Sequence, residues 1–455
     1  MLNNLLRYLD DKKILILGFG KEGVSTYKFI RKHFPDKKIY ISDKKTTNEE
    51  IIKKDINVNI NFGDNYLDNL KDFDIIMKSP GISFANINID SFKDKIKSEL
   101  ELFLEYMDVK TIGVTGSKGK STTSSLIYEI LKKEKKETLL LGNIGIPVFD
   151  LIDDITKDTI VVLEMSSHQL EYMNVSPNIS ILLNIYEEHL DHYKSLKEYA
   201  EAKINIGRFQ NKDDYFIYNV DNKIIKECIN EIEDSSHIKY EVSFEGNISN
   251  NNSNKVYIKD NYIYINEEKI YNINEKRNLI GDHNLNNIMF VLTVSKILNL
   301  NMENVKETIS NFKGLEHRME YVGKYDDIIF YNDSIATIPE ATINSIKGLK
   351  DVDTLIFGGM DRGISYDEFI DFLNTGVINN LICMPDTGYK IADKLKCSSN
   401  IYKVETLEEA VELSKKVTKK NKICLLSPAA ASYGFFKNFV EKGNIYKELV
   451  KKIHV

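Results

Sequence analysis

Residues 113–122 read Gly-Val-Thr-Gly-Ser-Lys-Gly-Lys-Ser-Thr and carry the parts of a phosphate-binding loop. A glycine-rich turn aims backbone N–H groups at phosphate oxygens. A helix N-terminus behind it adds a favourable dipole, a lysine adds a point charge, and a serine hydroxyl reaches Mg²⁺. Those parts fall on Gly116, Gly119, Lys120 and Ser121. The strict pattern also wants a glycine five residues before the Gly-Lys pair. Val114 stands there and Gly113 is one residue too early, so the loop is a variant. A glycine turn capping a helix, with a solvated lysine, is the plain alternative.

Other positions have the types and spacing for related chemistry. Gly18-x-Gly20-x-x-Gly23 follows an apolar run, and Asp43 comes twenty residues after Gly23. That fits a dinucleotide-binding turn for NAD, a turn holding another nucleotide, or a turn holding nothing. Glu164 ends the apolar run Thr159–Leu163 and is a candidate Mg²⁺ ligand, since Mg²⁺ takes hard oxygens and needs few of them from protein. His189 sits among Glu187, Glu188 and Asp191; a lone histidine there is more often a surface or capping residue. His168 reads as structural. Asn284 and Asn287 share one helix face and can cap the helix or grip adenine or phosphate. Arg318 is a phosphate fork or a surface arginine. Asn332-Asp333-Ser334 and Ser427–Ser432 follow apolar runs, where ligands of open α/β sheets bind.

The elements that must position these residues alternate in type. Buried-strand patterns at 13–17, 38–42 and 74–77 alternate with an amphipathic stretch carrying Val24, Tyr27, Phe29 and Ile30. Ser79-Pro80-Gly81 is a turn, and Ile96–Tyr106 reads as a helix. Strands at 111–114, 159–163 and 179–183 follow, with Leu126, Ile127, Ile130 and Leu131 on one face of the helix behind the loop. Strands at 256–258 and 262–265 suggest a small antiparallel addition. From Gly314 onward, strands at 327–331, 354–357, 380–384 and 422–426 make another α/β segment.

The chain has 455 residues, too many for one ordinary core. Its net charge of −7, with no basic stripe, argues against a nucleic-acid partner. No apolar run approaches a membrane span, the start lacks a signal-peptide pattern, and Cys228, Cys383, Cys397 and Cys424 have neither zinc nor disulfide spacing. Together these point to the cytoplasm.

TGSKGKST, Gly142–Gly145 (GNIG), Leu163–Glu171, Glu187–Tyr193, Glu201–Lys203, GDHNLNN, GLEHR, YNDSIAT and LLSPAAASYGFFKNF run in order over almost the whole chain, which thereby resembles the Mur ligases. The GFGKEG start, Ser79–Ile82, the NDS-x-AT run and SPAAAS resemble the branch that adds D-glutamate. The resemblance implies three α/β domains. A Rossmann-like domain (1–97) would bind a UDP-linked substrate, a P-loop ATPase-like domain with a small antiparallel sheet (98–314) would bind ATP, and a Rossmann-like domain (315–455) would bind the amino acid. It implies ATP-dependent ligation of D-glutamate to UDP-N-acetylmuramoyl-L-alanine in cytoplasmic peptidoglycan precursor synthesis, by a monomer, with two Mg²⁺ ions.

It also implies roles for residues. Gly116, Ser117, Lys118, Gly119, Lys120, Ser121 and Thr122, with Asn284, Asn287, Arg318 and Asp333, would contact ATP. Ser121, Glu164, His189 and a carbamylated Lys203 would serve the metals, with Lys120, His189 and Lys203 catalytic. Gly18, Gly20, Gly23, Asp43, Lys44, Lys45, Ser79, Pro80, Gly81 and Asn143 would bind the UDP-substrate, so the glycine turn would hold UDP instead of NAD. Thr337, Arg362, Ser432, Tyr433 and Phe439 would line the amino-acid site. Ile335 and Arg362 stand where the family commonly has lysine. Another amino-acid ligase of the superfamily, of the folylpolyglutamate synthase type, is the alternative. An NAD-dependent oxidoreductase would leave Lys120 and Lys203 unexplained.

Overall fold

The computed structural model describes all residues except 46–48, 85–86, 144–145, 189–191, 231–236, 248–252, 280, 350, 362–364, 433, 435 and 453–455. His189, Arg362 and Tyr433 therefore lie outside the described residues, as does much of the Asn-rich stretch at 247–254.

Among the described residues, three sheets organise the chain, each with helices in its connections. The first holds β1 (Ile14–Leu17), β2 (Ile39–Asp43), β3 (Val58–Phe62), β4 (Ile75–Lys78) and β5 (Ile96–Lys97), all parallel, in the order β3-β2-β1-β4-β5. β1 and β4 are buried at every residue, as strands covered on both faces must be, which is why they read as continuous apolar runs. β3 is a mostly exposed edge strand with alternating asparagines, and its sequence gives no such signal. Ile96–Lys97 pairs with β4, and the helix after it runs only over Glu99–Tyr106. Ser98 ends the strand and caps that helix by accepting from the Glu101 N–H at 3.1 Å.

The second sheet contains β6 (Lys110–Thr115), β7 (Thr138–Gly142), β8 (Ile160–Glu164), β9 (Ile179–Leu182), β10 (Tyr215–Asn219), β11 (Ile238–Ser243), β12 (Asn254–Lys259), β13 (Tyr262–Ile265) and β14 (Glu268–Asn272), ordered β14-β13-β12-β11-β10-β9-β6-β8-β7. Its antiparallel strands, β12 to β14, continue the edge of the parallel part through a parallel β11–β12 pair. The helix Lys120–Lys133 buries Leu126, Ile127, Ile130 and Leu131, the face its spacing predicts.

The third sheet has β15 (Glu320–Tyr325), β16 (Ile328–Asn332), β17 (Val352–Gly359), β18 (Asn380–Asp386), β19 (Asn400–Lys403) and β20 (Ile423–Leu426), ordered β15-β16-β20-β17-β18-β19. Among the described residues, the β15–β16 pair is antiparallel and the other strand pairs are parallel.

The chain divides into two compact units, Met1–Phe312 and Lys313–Val455. In the first, one apolar cluster runs from Leu5, Ile16 and Phe29 beside the first sheet to Phe149, Leu163 and Met165 beside the second. The rings of Phe29 and Phe149 lie 4.4 Å apart, and Lys32 and His33 both pair with Asp153. In the second unit, separate clusters cover the two faces of the third sheet, one around Leu355, Phe357 and Phe369 and one around Ile356, Leu426 and Tyr446.

Candidate active site

β6 delivers the chain into the loop at Gly116, and the next helix starts at Lys120 with Gly119 as its N-cap. Gly119 has φ +87°, and a Cβ there would stand 2.5 Å from the Asn287 side-chain oxygen. Only glycine meets both conditions, and the second places Asn287 against the loop. Gly113 proves to be a strand residue. A Cβ on it would lie 2.5 Å from Pro177, so it permits close packing and takes no part in the turn. That accounts for the displaced glycine of the motif.

Ser117 and Lys118 are braces. The Ser117 N–H donates to the Asn184 carbonyl at 2.9 Å, and the Lys118 N–H donates to the Asn184 side chain at 2.8 Å. The Ser117 hydroxyl is shared between the Tyr186 N–H at 2.9 Å and the Tyr199 hydroxyl at 2.9 Å. Lys118 pairs with Glu188. These groups of Ser117 and Lys118 are thus directed to Asn184, Tyr186, Tyr199 and Glu188. The first-turn N–H groups of Lys120, Ser121 and Thr122 point out of the helix end, where an anion is favoured. Ser121 is buried and Thr122 half-buried.

Three elements meet beside this turn. β8 ends at Glu164, which is 2% exposed; its Oε1 accepts from the Asn143 side chain at 2.7 Å. Its Oε2 is buried with no hydrogen-bond partner among the described residues. β7 ends at Gly142, φ +99°, where a Cβ would come within 2.4 Å of the Glu164 carbonyl, so this glycine lets Asn143 reach the carboxylate. The helix Leu196–Arg208, capped by Ser195, turns Lys203 inward. Lys203 is 1% exposed, donates to the Gly116 carbonyl at 3.0 Å and lies 4.8 Å from the Tyr199 ring centre. Burial, then the neighbouring Lys120 ammonium, holds the Lys203 amine well below the usual lysine range. Lys120 donates to the Gly116 and Ser117 carbonyls at 2.7 and 3.0 Å.

A cleft of about 260 Å³ is lined by Lys120, Asn143, Lys203, Ser166, Ser167 and His168, and also by Pro80 and Gly81 from the first sheet. Ser166 to His168 were not among the predicted site residues, and His168 read as structural. Their signal was a polar cluster directly after a buried strand. A larger hollow, about 660 Å³, is lined by Phe84, Tyr172, His192 and Arg208 among others and holds none of the predicted residues.

At the glycine turn of the first sheet, Gly18 and Gly23 serve packing. A Cβ on Gly18, φ +91°, would sit 2.7 Å from Ser79, and one on Gly23 would sit 2.1 Å from the Gly18 carbonyl. Gly20 and Gly81 are exposed and face open space. Asp43 accepts from the Phe19 N–H at 2.6 Å through one oxygen and from the Lys45 N–H at 2.9 Å through the other. Its carboxylate closes the turn, the position where a dinucleotide-binding turn offers an acid to a ribose. Lys44 and Lys45 are exposed.

Asn284 and Asn287 lie in the first turns of the helix Asp282–Ile297. Neither caps it: Gly281, φ +95°, is the N-cap, with no side-chain cap bond. In the second unit, Asp333 follows β16 and is 2% exposed. It accepts from the Ser427 hydroxyl at 2.8 Å and the Met319 N–H at 3.1 Å, and burial pushes its carboxyl up to about 6. Arg318 is exposed; Thr337 and Ile335 are half-buried. The Ser432 hydroxyl is buried with no hydrogen-bond partner among the described residues. Phe439 opens the helix Phe439–Lys451 and packs on His317, ring centres 6.0 Å apart.

A glycine turn between a buried parallel strand and a Lys-Ser helix start, with a carboxylate ending the neighbouring strand, is the arrangement of P-loop proteins that handle a nucleoside triphosphate. Comparison with known proteins narrows that class. Three family models match: the N-terminal domain of MurD-like Mur ligases over residues 12–98, the Mur ligase middle domain over 114–295, and the Mur ligase glutamate ligase domain over 317–430. The chain belongs to the Mur ligase family. It is similar to UDP-N-acetylmuramoylalanine--D-glutamate ligase of Clostridium acetobutylicum, 36% identical over 467 residues and 99% of each chain. It is also similar to the protein of that name from Clostridium kluyveri, 33% identical over 98% of this chain and 97% of that one. Among solved structures, the UDP-N-acetylmuramate-alanine ligase MurC of Thermotoga maritima shares the fold, with TM-score 0.54 and 20% identity over 97% of this chain and 99% of that one.

Proposed function

We propose that this protein ligates D-glutamate to UDP-N-acetylmuramoyl-L-alanine at the expense of ATP, in the cytoplasm and as a monomer, as a step of peptidoglycan precursor synthesis. Residues 1–97 hold the UDP-substrate, 98–314 hold ATP and 315–455 hold the amino acid. The observation that carries this reading is the cleft where Pro80 and Gly81 of the first domain face Lys120, Asn143 and Lys203 of the second. An acceptor gripped at the glycine turn and a nucleotide gripped at the phosphate loop would meet there. The names of the relatives supply the substrates.

The chemistry follows from what a carboxylate lacks. At neutral pH it does not accept an amine, so one oxygen must become a leaving group. The alanyl carboxylate attacks the γ-phosphorus of ATP, ADP leaves, and an acyl phosphate forms. The D-glutamate amine adds to the acyl carbon, and the tetrahedral intermediate expels phosphate. Phosphoryl transfer needs mainly in-line positioning and charge neutralisation. The Lys120 to Thr122 N–H groups cradle the phosphates, and the Lys120 ammonium offsets their charge. Asn143, held by Glu164, orients the acceptor. Asn284, Asn287, Arg318 and Asp333 contact the nucleotide, and Gly18, Gly20, Gly23, Asp43, Lys44, Lys45 and Ser79 the UDP group. Thr337, Arg362, Ser432, Tyr433 and Phe439 receive D-glutamate.

The donor set fits Mg²⁺. The unpartnered buried Oε2 of Glu164 and the Ser121 hydroxyl are hard oxygens, with His189 the further ligand. Two Mg²⁺ ions would neutralise phosphate charge there. A lysine suits such a place once it is carbamylated. Burial depresses the Lys203 amine, and bonding of its unprotonated form to CO₂ with release of a proton would give an anionic oxygen ligand.

Phosphate release from ATP with Mg²⁺ tests the reading. Release that requires both UDP-N-acetylmuramoyl-L-alanine and D-glutamate, with the ligated product seen by mass, is the expected result. Release with L-lysine or L-glutamate instead of D-glutamate would move the specificity, and no release with any of them would overturn the reading.

A further inference from the structure

Lys78 is the last residue of β4, in register with Leu17 at the end of β1. Ser79, Pro80 and Gly81 follow it, and the Ser79 hydroxyl donates to the Gly18 carbonyl at 2.8 Å. The Lys78 side chain turns away from solvent into the seam between the first two sheets and is 3% exposed. Its ammonium has no hydrogen-bond partner among the described residues. It faces Glu171 Oε2 at 3.7 Å and the Tyr172 ring at 5.4 Å. Glu171 in turn meets His192 at 3.1 Å, three residues beyond His189. A second polar tie crosses the same seam: the Gln169 side chain donates to Glu22 Oε1 at 2.7 Å, and Glu22 also attracts the Lys78 charge. Gln169 closes a capping box with Ser166, which with Ser167 lines the cleft opposite Pro80 and Gly81.

A cation buried so deeply costs several kcal/mol unless charges around it compensate. Here the charge facing it at ion-pair distance is Glu171 of the second domain; Glu22 of the glycine-turn helix attracts it from farther off, and burial still depresses the Lys78 amine. Such a group does not add much to stability, and in some proteins it holds one register between the surfaces that carry it. The surfaces fixed here are the Ser79–Gly81 turn and the Ser166–Glu171 segment, which bring Pro80 and Gly81, and Ser166 to His168, to the lining of the cleft.

We propose that Lys78 is a positioning residue for the ligation: pairing with Glu171 beside the Gln169–Glu22 tie, it locks the Ser79–Gly81 turn against the Ser166–Glu171 segment and so sets the acceptor carboxylate in line with the phosphate loop. This rests on the functional reading above. Lys78 touches neither substrate; it acts through the turn that follows it.

The test compares the parent protein with Lys78→Met, Glu171→Gln and the double variant, reading kcat, the KM of each substrate and the thermal midpoint. Methionine keeps the volume and leaves Glu171 with His192, so the variant folds with little change in midpoint. Misplacement of an acceptor by about 1 Å costs on the order of 10²-fold. The expected result is therefore a fall of ~10- to 100-fold in kcat/KM for the UDP-substrate, with the KM of ATP within about threefold of the parent. The double variant should lose no more than the worse single one, because both break the same lock. Folded variants whose UDP-substrate kinetics stay within about twofold of the parent would overturn the assignment, as would equal losses for ATP and UDP-substrate with a lowered midpoint. If Lys78→Met does not fold, Glu171→Gln, which keeps the lysine, decides by the same split. A parent protein that does not ligate overturns the functional reading and this assignment together; a parent that ligates beside unaffected variants overturns the assignment alone.

Discussion

Two buried lysines in different compact units look alike at first and differ in what surrounds them. Lys203 and Lys442 are each 1% exposed, and each donates to a glycine carbonyl, Gly116 at 3.0 Å and Gly358 at 2.9 Å. Burial depresses both amines. Around Lys203 stand Lys120, Glu164 and Glu188, and its side chain borders an open cleft. Around Lys442, burial is the one cause of its depression, and the Phe436 ring lies 5.7 Å away. A depressed amine alone therefore does not set the two lysines apart. Charges of both signs and room for a ligand do, and those are features of a candidate functional site.

The sharpest break in that contrast comes from the cleft side. Lys120→Ala should cut substrate-dependent phosphate release by on the order of 10³-fold, since the γ-phosphate loses its fixed cation. A loss under about tenfold would mean the loop binds nucleotide without stabilising transfer. Lys203→Ala should lose about 10²-fold or more, and a short carboxylic acid in the buffer should restore part of the rate by supplying the missing anionic oxygen. Full activity in the unrescued variant would remove the carbamate from the account.

The loop geometry sharpens the comparison further. Gly119→Ala puts a Cβ at φ +87° and 2.5 Å from Asn287, so it should cost about 1–3 kcal/mol of stability and raise the KM of ATP. Combining it with Asn287→Ala removes the clash but not the strained φ. The double variant should recover part of the stability and little of the ATP affinity, as thermal melts with and without ATP would register.

Part of the candidate site was legible because several of its residues follow buried strands. Apolar runs at Thr111–Val114 and Thr159–Leu163 announce their own carboxyl ends, and Lys120, Ser121 and Glu164 follow directly. What stayed hidden depends on neighbours far along the chain. Gly113 could not be separated from the turn without Pro177 packing on it, and Ser117 could not be recognised as a brace without Asn184 and Tyr199. β3 is an exposed edge, so its asparagines carry no burial pattern. Lys442 occurs in a helix with charged neighbours, and nothing in its local spacing tells that the side chain points to Gly358.

The smallest effect, and the other side of the comparison, belongs to Lys442. Its amine titrates near about 7 in the folded chain and near 10.5 when unfolded. Between those values the unfolded chain binds the extra proton, so this group makes stability rise with pH from about 7 to 10.5 and contributes no slope outside that window. The slope is about 1.4 kcal/mol per pH unit at most. Lys442→Met removes it, and the gain over the parent should be greatest below pH 7 and vanish towards pH 10.5, in urea unfolding run across the window. Turnover at neutral pH should stay within about threefold of the parent, because the variant removes an amine bonded to the Gly358 carbonyl and near the Phe436 ring and none of the side chains proposed to receive the amino acid. If turnover instead falls as far as in Lys203→Ala while the fold is stabilised, the two lysines are not opposites. The second unit would then hold its own chemical amine behind the Gly358 turn.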